Sequence, residues 1–198
     1  MQKPKISFVT SNKNKFLEAR EIIPRLEQMV RDLDEIQELD PRKIIEHKNN
    51  EVFKYYPEKS NLVVEDTSLY FDCLNRLPGP LIKWFLQEIG NKGLYELANN
   101  YGEYGAEAKT FIGYAVSPKE VYFFEGSVRG QIVEPSGETE FGWDPLFLPN
   151  GYRQTFAEMS KEEKNEISHR TKAFMKLKEF LESVQCCIIP NDSFFYKF

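Results

Sequence analysis

Short apolar runs and helical stripes alternate along the first half of the chain. Lys5-Ile6-Ser7-Phe8-Val9-Thr10 reads as a buried strand that runs into the polar turn Ser11-Asn12-Lys13-Asn14-Lys15. Across residues 12–31 the apolar positions Phe16, Leu17, Ile22, Ile23, Leu26 and Val30 fall at roughly helical spacing, which predicts one helix interrupted at Pro24. The acidic stretch from Asp32 to Glu38 alternates over a short distance and reads as a strand or an extended loop. A second helix is predicted from Pro41, a favourable first-turn residue, to about Tyr56, with Pro57 as its stop. Asn61-Leu62-Val63-Val64 is a β-rich run leading into Glu65-Asp66-Thr67, and residues 68–73 continue extended or turn back.

In the second half, a loop at Leu77-Pro78-Gly79-Pro80 precedes helical segments at residues 81–87 and 92–101. Residues 109–116 and 121–133 read as consecutive antiparallel strands, and residues 134–153, rich in Gly and Pro, as one long loop. Ser160-Lys161-Glu162-Glu163 matches a capping box that opens a last helix running to about Ser183, with a break before Ser168. Strands alternating with helices, then a meander, predict an α/β domain with a mixed sheet.

Composition narrows the function classes. The 198 residues suit one domain, taken here as residues 1–183, with residues 184–198 as an apolar extension that adds a strand, packs on a partner subunit or stays exposed. The net charge of −5, from 26 basic and 31 acidic residues, gives no overall positive field to recruit nucleic acid or an anionic membrane. Any phosphate site must therefore be a local cluster of lysines. Neither a long apolar run nor a charged-then-apolar leader stands out, so a cytoplasmic protein is expected. Cys73, Cys186 and Cys187 show no metal-ligand spacing and fit reduced thiols.

Several residues invite chemistry, each beside a plainer reading. Thr10 to Lys15 lacks a Gly-rich phosphate fingerprint and by pattern alone is a polar helix start. Lys48 shares a predicted helix face with Ile44, Ile45 and Val52, as a snorkelling lysine or an inward-facing charge. Glu65 and Asp66, flanked by Val63-Val64 and Leu69, are a solvated turn or a metal and general-base site. Leu77-Pro78-Gly79-Pro80 before Lys83 is by itself a turn. Phe141-Gly142-Trp143-Asp144 lies in the long loop, as an aromatic plug or a stacking surface with a carboxylate. In Ser168-His169-Arg170 the two cations are polar helix positions or, if Ser168 caps a new helix, occupy a first turn where the dipole disfavours them.

Taken in order, Thr10-Ser11-Asn12, Glu65-Asp66-Thr67, Leu77-Pro78-Gly79-Pro80, Phe141-Gly142-Trp143-Asp144-Pro145 and Ser168-His169-Arg170 resemble the inosine triphosphate pyrophosphatase family over about residues 6–181. Glu-Asp-Thr is closer to the eukaryotic branch than to the bacterial one. The resemblance implies an elongated central mixed sheet flanked by helices, two lobes with a cleft between them, and a homodimer. It implies hydrolysis of deaminated purine nucleoside triphosphates (ITP, dITP, XTP) to the monophosphate and pyrophosphate. Thr10, Ser11, Asn12, Lys15, Lys48 and Thr67 are then phosphate contacts, and Lys83 and Lys164 further ligand contacts. Asp66 is a Mg²⁺ ligand and the general base, with Glu65 and Lys48 beside it in the catalytic group. Glu35, where Asp34 replaces the family's proline before it, is a second metal ligand, and Mn²⁺ is the alternative ion. Phe141 stacks on the base beside Gly142 and Trp143, Asp144 accepts from its N1–H, and His169 or Arg170 donates to position 6.

The small-molecule triphosphate is the expected partner, with no nucleic acid and no membrane. Two rivals remain: a related septum-inhibitor-type pyrophosphatase, which is not expected to combine Phe-Gly-Trp-Asp-Pro with Ser-His-Arg, and a catalytically silent nucleotide-binding protein. The retained Glu65, Asp66, Lys48 and Lys164 speak against the second.

Overall fold

The computed structural model describes residues 5–138 and 141–186. The sheet begins with β1 (Ile6–Val9), which pairs in parallel with β2 (Leu26–Met29) and β3 (Leu62–Phe71). From β3 onward pairing is antiparallel, through β5 (Gly105–Ser117) and β6 (Glu120–Ile132) to β7 (Phe147–Pro149), while the two-residue β4 (Pro78–Gly79) attaches to the far end of β3. The result is the expected open mixed sheet, seven strands in all. Helices α1 (Lys13–Ile22) and α5 (His169–Cys186) cover one face and α2 (Pro41–Tyr55) the other. α3 (Ile82–Tyr101) joins the far lobe, and α4 (Lys161–Ile167) leads into α5. Among the described residues no helix is long and apolar enough to cross a membrane.

β3 explains the two lobes. Its near end sends Val63 into the core under α1 and α5 and Val64 into the core under α2, because successive side chains take opposite faces. Its far end sends Leu69 and Phe71 into a separate core with α3, β5, β6 and β7. Between these ends the β1 pairing stops at Val63 and the β4 pairing starts at Leu69, so Glu65, Asp66 and Thr67 are paired to β5 on one edge and open on the other. That gap is the floor of the cleft.

Several sequence expectations are corrected. The helix predicted over residues 12–31 ends at Ile22, where the Ile23 N–H bonds to the Ala19 carbonyl, and Pro24 separates it from a strand. The misleading signal was the four-residue step from Leu26 to Val30. On a helix that step stays on one face, whereas here Leu26 is buried in the core and Val30 lies past the end of β2, exposed. The loop over residues 134–153 contains a 3₁₀ turn at Asp144–Leu146 and the short strand β7. The expectation of two helical segments at 81–87 and 92–101 holds, since α3 is broken between them at Gly90, whose φ of 65° no L-residue adopts cheaply. Other expectations hold: β3 continues extended, the Ser160 capping box forms, and Ser168 separates α4 from α5. Residues 184–186 of the expected extension continue α5, and the apolar tail from Cys187 to Phe198 lies outside the described residues.

Two glycines set the helix distances. At Gly113 on β5 a Cβ would lie 2.3 Å from Ile45 Cγ2 of α2, and at Gly126 on β6 it would lie 2.1 Å from the carbonyl oxygen of His169 and 2.5 Å from the amide nitrogen of Ala173. The second clash is with backbone, so no rotamer relieves it. Gly126→Ala is expected to cost about 1–3 kcal/mol by forcing the first turn of α5 off the sheet. A denaturant midpoint equal to that of the unsubstituted protein would show that α5 shifts freely.

Candidate active site

Asp40 and Pro41 start α2 by capping and by pre-set φ, and one turn beyond Ile44 the helix points Lys48 at the open stretch of β3. Lys48 Nζ is 2.7 Å from Asp66 Oδ1 and 3.1 Å from the Glu65 carbonyl oxygen, both from the buried interior of the cleft. The snorkelling reading fails because the ammonium turns inward. Ser68 Oγ, two residues along the same face, is 3.4 Å from Asp66 Oδ2.

Glu65 faces the other way, toward α1 and α5. Arg170 donates to it through Nε at 3.2 and 3.1 Å and through Nη2 at 3.1 Å, and Thr67 Oγ1 lies 2.7 Å from Glu65 Oε1. Arg170 Nη2 also reaches Thr67 Oγ1 at 3.3 Å, and Nη1 bonds to Glu18. Lys15 is the third residue on Glu65, at 3.3 Å. Burial works to raise the Glu65 pKa, but the Arg170 and Lys15 charges outweigh it and hold the carboxyl well below the usual carboxylate range. Arg170 is correspondingly raised: burial opposes its charge, and Glu65 and Glu18 outweigh that penalty.

The β1–α1 turn supplies the next wall. Asn12 accepts from the Lys15 N–H at 3.0 Å, capping α1, while the Thr10 hydroxyl accepts from the Asn12 N–H at 3.1 Å. Ser11 Oγ donates to Asp32 at 2.7 Å. Across the cleft Lys83 Nζ stands 2.8 Å from Glu35.

The far end is aromatic. Phe141 has the Lys164 ammonium 4.0 Å and the Arg170 guanidinium 5.4 Å from its ring centroid. Gly142 fixes the loop by accepting from Asn91 at 2.8 Å, and a Cβ there would press 2.5 Å from Leu86. Lys164 pairs with Asp144 and, at 3.5 Å, with Glu18. Burial raises the Asp144 pKa against the pull of Lys164 and Arg170. His169 is held between Trp143 and Phe156, with centroids 5.4 and 5.9 Å away, and neither ring nitrogen has a hydrogen-bond partner among the described residues.

The expectation of two cations in the first turn of α5 is therefore corrected for His169. Burial first, then the Arg170 and Lys164 charges, push its pKa well below the ordinary value, so it is neutral near pH 7. Ser168 does cap the helix, accepting from the Thr171 N–H at 3.1 Å.

One cleft of about 360 Å³ brings together every residue expected from sequence: Thr10, Ser11, Asn12, Lys15, Glu35, Lys48, Glu65, Asp66, Thr67, Lys83, Phe141, Gly142, Trp143, Asp144, Lys164, His169 and Arg170. Sequence reasoning missed Glu18, Arg31, Asp32 and Phe156. For Glu18 a signal existed, since it falls one turn from Lys15 and from Ile22 and so places a carboxylate on the packed side of α1.

A divalent ion fits this donor set in one manner only. Among the described residues no group of three or more acidic, His or Cys side chains could cage a metal. Mg²⁺, however, is commonly held by one or two carboxylates together with substrate phosphates and water. Glu35 and Asp66 line the same cleft, and Asp66 Oδ2 has only the long 3.4 Å contact to Ser68.

Fold and cleft together define a class: an open mixed-sheet α/β protein with a polar cleft between two lobes, cationic at a strand-to-helix turn and aromatic at its other end. The chain belongs to the Ham1 family, which matches residues 6–180. It is 40% identical to the inosine triphosphate pyrophosphatase of Schizosaccharomyces pombe, the match covering 90% of this chain and 95% of that one. For the protein of the same name from Saccharomyces cerevisiae the identity is again 40%, covering 91% and 98%. Among solved structures, the Ham1 protein of Staphylococcus aureus superimposes with a TM-score of 0.73 at 26% identity, covering 90% of this chain and 99% of that one. A nucleoside-triphosphatase / dITP/XTP pyrophosphatase from Mycobacterium abscessus superimposes with a TM-score of 0.66 at 25% identity, covering 87% and 98%.

The neutral, buried His169 generates a pH prediction. Its folded pKa lies below its unfolded one, so its contribution to stability is present above about pH 6.5 and is lost as pH falls. Unfolding free energy should drop between pH 6.5 and 5 with a slope approaching 1.4 kcal/mol per pH unit from this group, roughly one proton's worth. His169→Gln should flatten that slope in denaturant titrations at the two pH values; an unchanged slope assigns the loss to other groups.

Proposed function

We propose that this protein hydrolyses deaminated purine nucleoside triphosphates, ITP, dITP and XTP, to the nucleoside monophosphate and pyrophosphate. The observation that carries the reading is one cleft in which a cation-lined strand-to-helix turn and an aromatic platform with a carboxylate meet across Glu65 and Asp66. Relatives 40% identical over nearly their full length are named for inosine triphosphate pyrophosphatase activity, which supports the same substrate class.

The two adjacent carboxylates divide the work. Glu65 has its oxygens filled by Arg170, Thr67 and Lys15 and is a poor proton acceptor. Asp66, with Lys48 on one oxygen and the other nearly open, orients water and takes its proton for attack at the α-phosphorus. Lys15, Lys48, Thr10, Ser11, Asn12 and Thr67 meet the phosphates as hydrogen-bond donors and charges. Glu35 and Asp66 would hold Mg²⁺, or Mn²⁺ in its place, which supplies charge neutralisation of the polyphosphate. Phe141 stacks on the base and Lys83 closes the wall. A cytoplasmic homodimer is the form we propose from the family resemblance, and light scattering tests the dimer.

Base choice follows from donor and acceptor pattern. Hypoxanthine and xanthine present an acceptor O6 and a donor N1–H, matching an N–H of His169 or Arg170 and the Asp144 carboxylate. Adenine reverses both, leaving buried polar groups unpaired, which can discriminate by about four orders of magnitude. ITP should exceed ATP in kcat/KM by roughly that margin. Guanine shares the O6 and N1–H pattern, so its rejection requires a different contact near C2. In Asp144→Asn the ITP to ATP ratio should collapse; a preserved ratio removes Asp144 from base reading.

Asp66→Asn should lose turnover by about two orders of magnitude or more with its fold intact, since the amide neither accepts the proton nor holds the ion as well. Glu65→Gln should instead cost stability, about 3 kcal/mol, because Arg170 loses a buried partner. Pyrophosphate release and a denaturation curve on each variant test the division, and near-normal release by Asp66→Asn overturns it. Excess chelator should abolish release, and re-added Mg²⁺ should restore it.

A further inference from the structure

Six cations line the cleft, and among the described residues five of them are already matched by carboxylates. Lys15 and Arg170 pair with Glu65, Lys48 with Asp66, Lys83 with Glu35, and Lys164 with Asp144. Arg31 is the exception. Its guanidinium lies 3.5 Å from the centroid of Tyr55 and 5.8 Å from that of Tyr56, and its Nε is buried with no hydrogen-bond partner. Stacking holds the planar fork in place at the wall of the cleft that Arg31 lines, and among the described residues no carboxylate pairs with it.

Its position along the sheet says what it meets. β1 runs level with β2 as Val9 against Met29, and with β3 as Phe8 against Val63. Past the strand ends the two chains stay in contact, with the Thr10 N–H bonded to the Met29 carbonyl oxygen at 3.1 Å and Ser11 Oγ donating to Asp32, the residue after Arg31, at 2.7 Å, and Arg31, Ser11 and Asp66 all line the same cleft. The strands lie side by side in the order β2, β1, β3, about 4.8 Å apart where they pair, so the segments that leave them follow in the same order around the cleft. The carboxylate that activates water stands on β3, the Ser11 turn follows β1, and Arg31 follows β2. A triphosphate whose α-phosphorus lies at Asp66 runs its β- and γ-phosphates along that line.

We propose that Arg31 clamps the terminal phosphate and selects nucleoside triphosphates over diphosphates. The inference rests on the substrate reading above and adds a residue to it: Arg31 is a binding group for the leaving pyrophosphate, with Tyr55 as its positioning surface. A charge-assisted, forked contact to a phosphate is the geometry for which arginine is suited.

The test compares Arg31→Gln with the unsubstituted protein on ITP and IDP. The expected result is a loss of kcat/KM for ITP of about tenfold to a hundredfold, carried mainly by KM, with IDP changed less than about threefold. Binding of inorganic tripolyphosphate by calorimetry, which needs no turnover, should weaken by a similar factor. Arg31→Lys, which keeps charge but loses the stacked fork, should fall between the two. Equal losses on ITP and IDP, or tripolyphosphate binding unchanged in Arg31→Gln, would overturn the assignment. Failure of the unsubstituted protein to hydrolyse ITP would refute the substrate reading instead, and the tripolyphosphate comparison would still judge Arg31.

Discussion

The buried guanidinium of Arg170 is the constraint on which the site depends. At 3% exposure it has left water, and such a charge is tolerable only when paired and hydrogen-bonded. Its partners come from β3, through Glu65 and Thr67, and from α1, through Glu18. Elements distant in sequence are thereby held to one relative geometry, because displacing any of them strands a charge in a low dielectric. Glu18 is shared further with Lys164, so α4 enters the same network. The ion network orders the cleft walls in a region where neither hydrophobic lobe can.

Strand alternation turns this structural device into chemistry. Glu65 and Asp66 are neighbours in the chain, yet pleating sends one to the α5 face and the other to the α2 face. One carboxylate can thus be consumed by structure while the next keeps an oxygen available. A helical pair would have lacked this clean separation. The neutral state of His169 follows first from its burial and then from the same crowding, since the cations that serve Glu65 and Asp144 also repel a proton from the imidazole.

How much of this was legible in the sequence depends on the signal. The long strands β5 and β6, the start of α2 and the Ser160 capping box were legible because period, proline and cap each have a local cause. β2 was not, since the Leu26 to Val30 spacing matches a helix turn although Val30 lies exposed beyond the strand. The site residues were legible as a set through resemblance, whereas the plainer reading of Thr10 to Lys15 would have stood on pattern alone. Arg170 was visible as a cation in a first turn, but its engagement with Glu65 and Glu18 is a long-range pairing that no local pattern encodes. Arg31 was hidden for the same reason: its meaning lies in having Tyr55 beneath it and, among the described residues, no carboxylate paired with it.

The place of the cleft is a consequence of sheet topology. β3 is ten residues long, while β1 is four, and their pairing covers only Leu62 and Val63. A short parallel strand beside a long one must leave backbone and side chains of the longer strand uncovered past its end, and the chain leaving β1 turns there into the N-terminus of α1. Ligand crevices form at such ends in α/β sheets because strand carboxyl ends and helix amino ends converge on them. β4 closes the opening at Leu69, which limits the gap to the stretch holding Glu65, Asp66 and Thr67. Lengthening β1 by pairing would cover those residues, so the shortness of the strand is itself a requirement of the site.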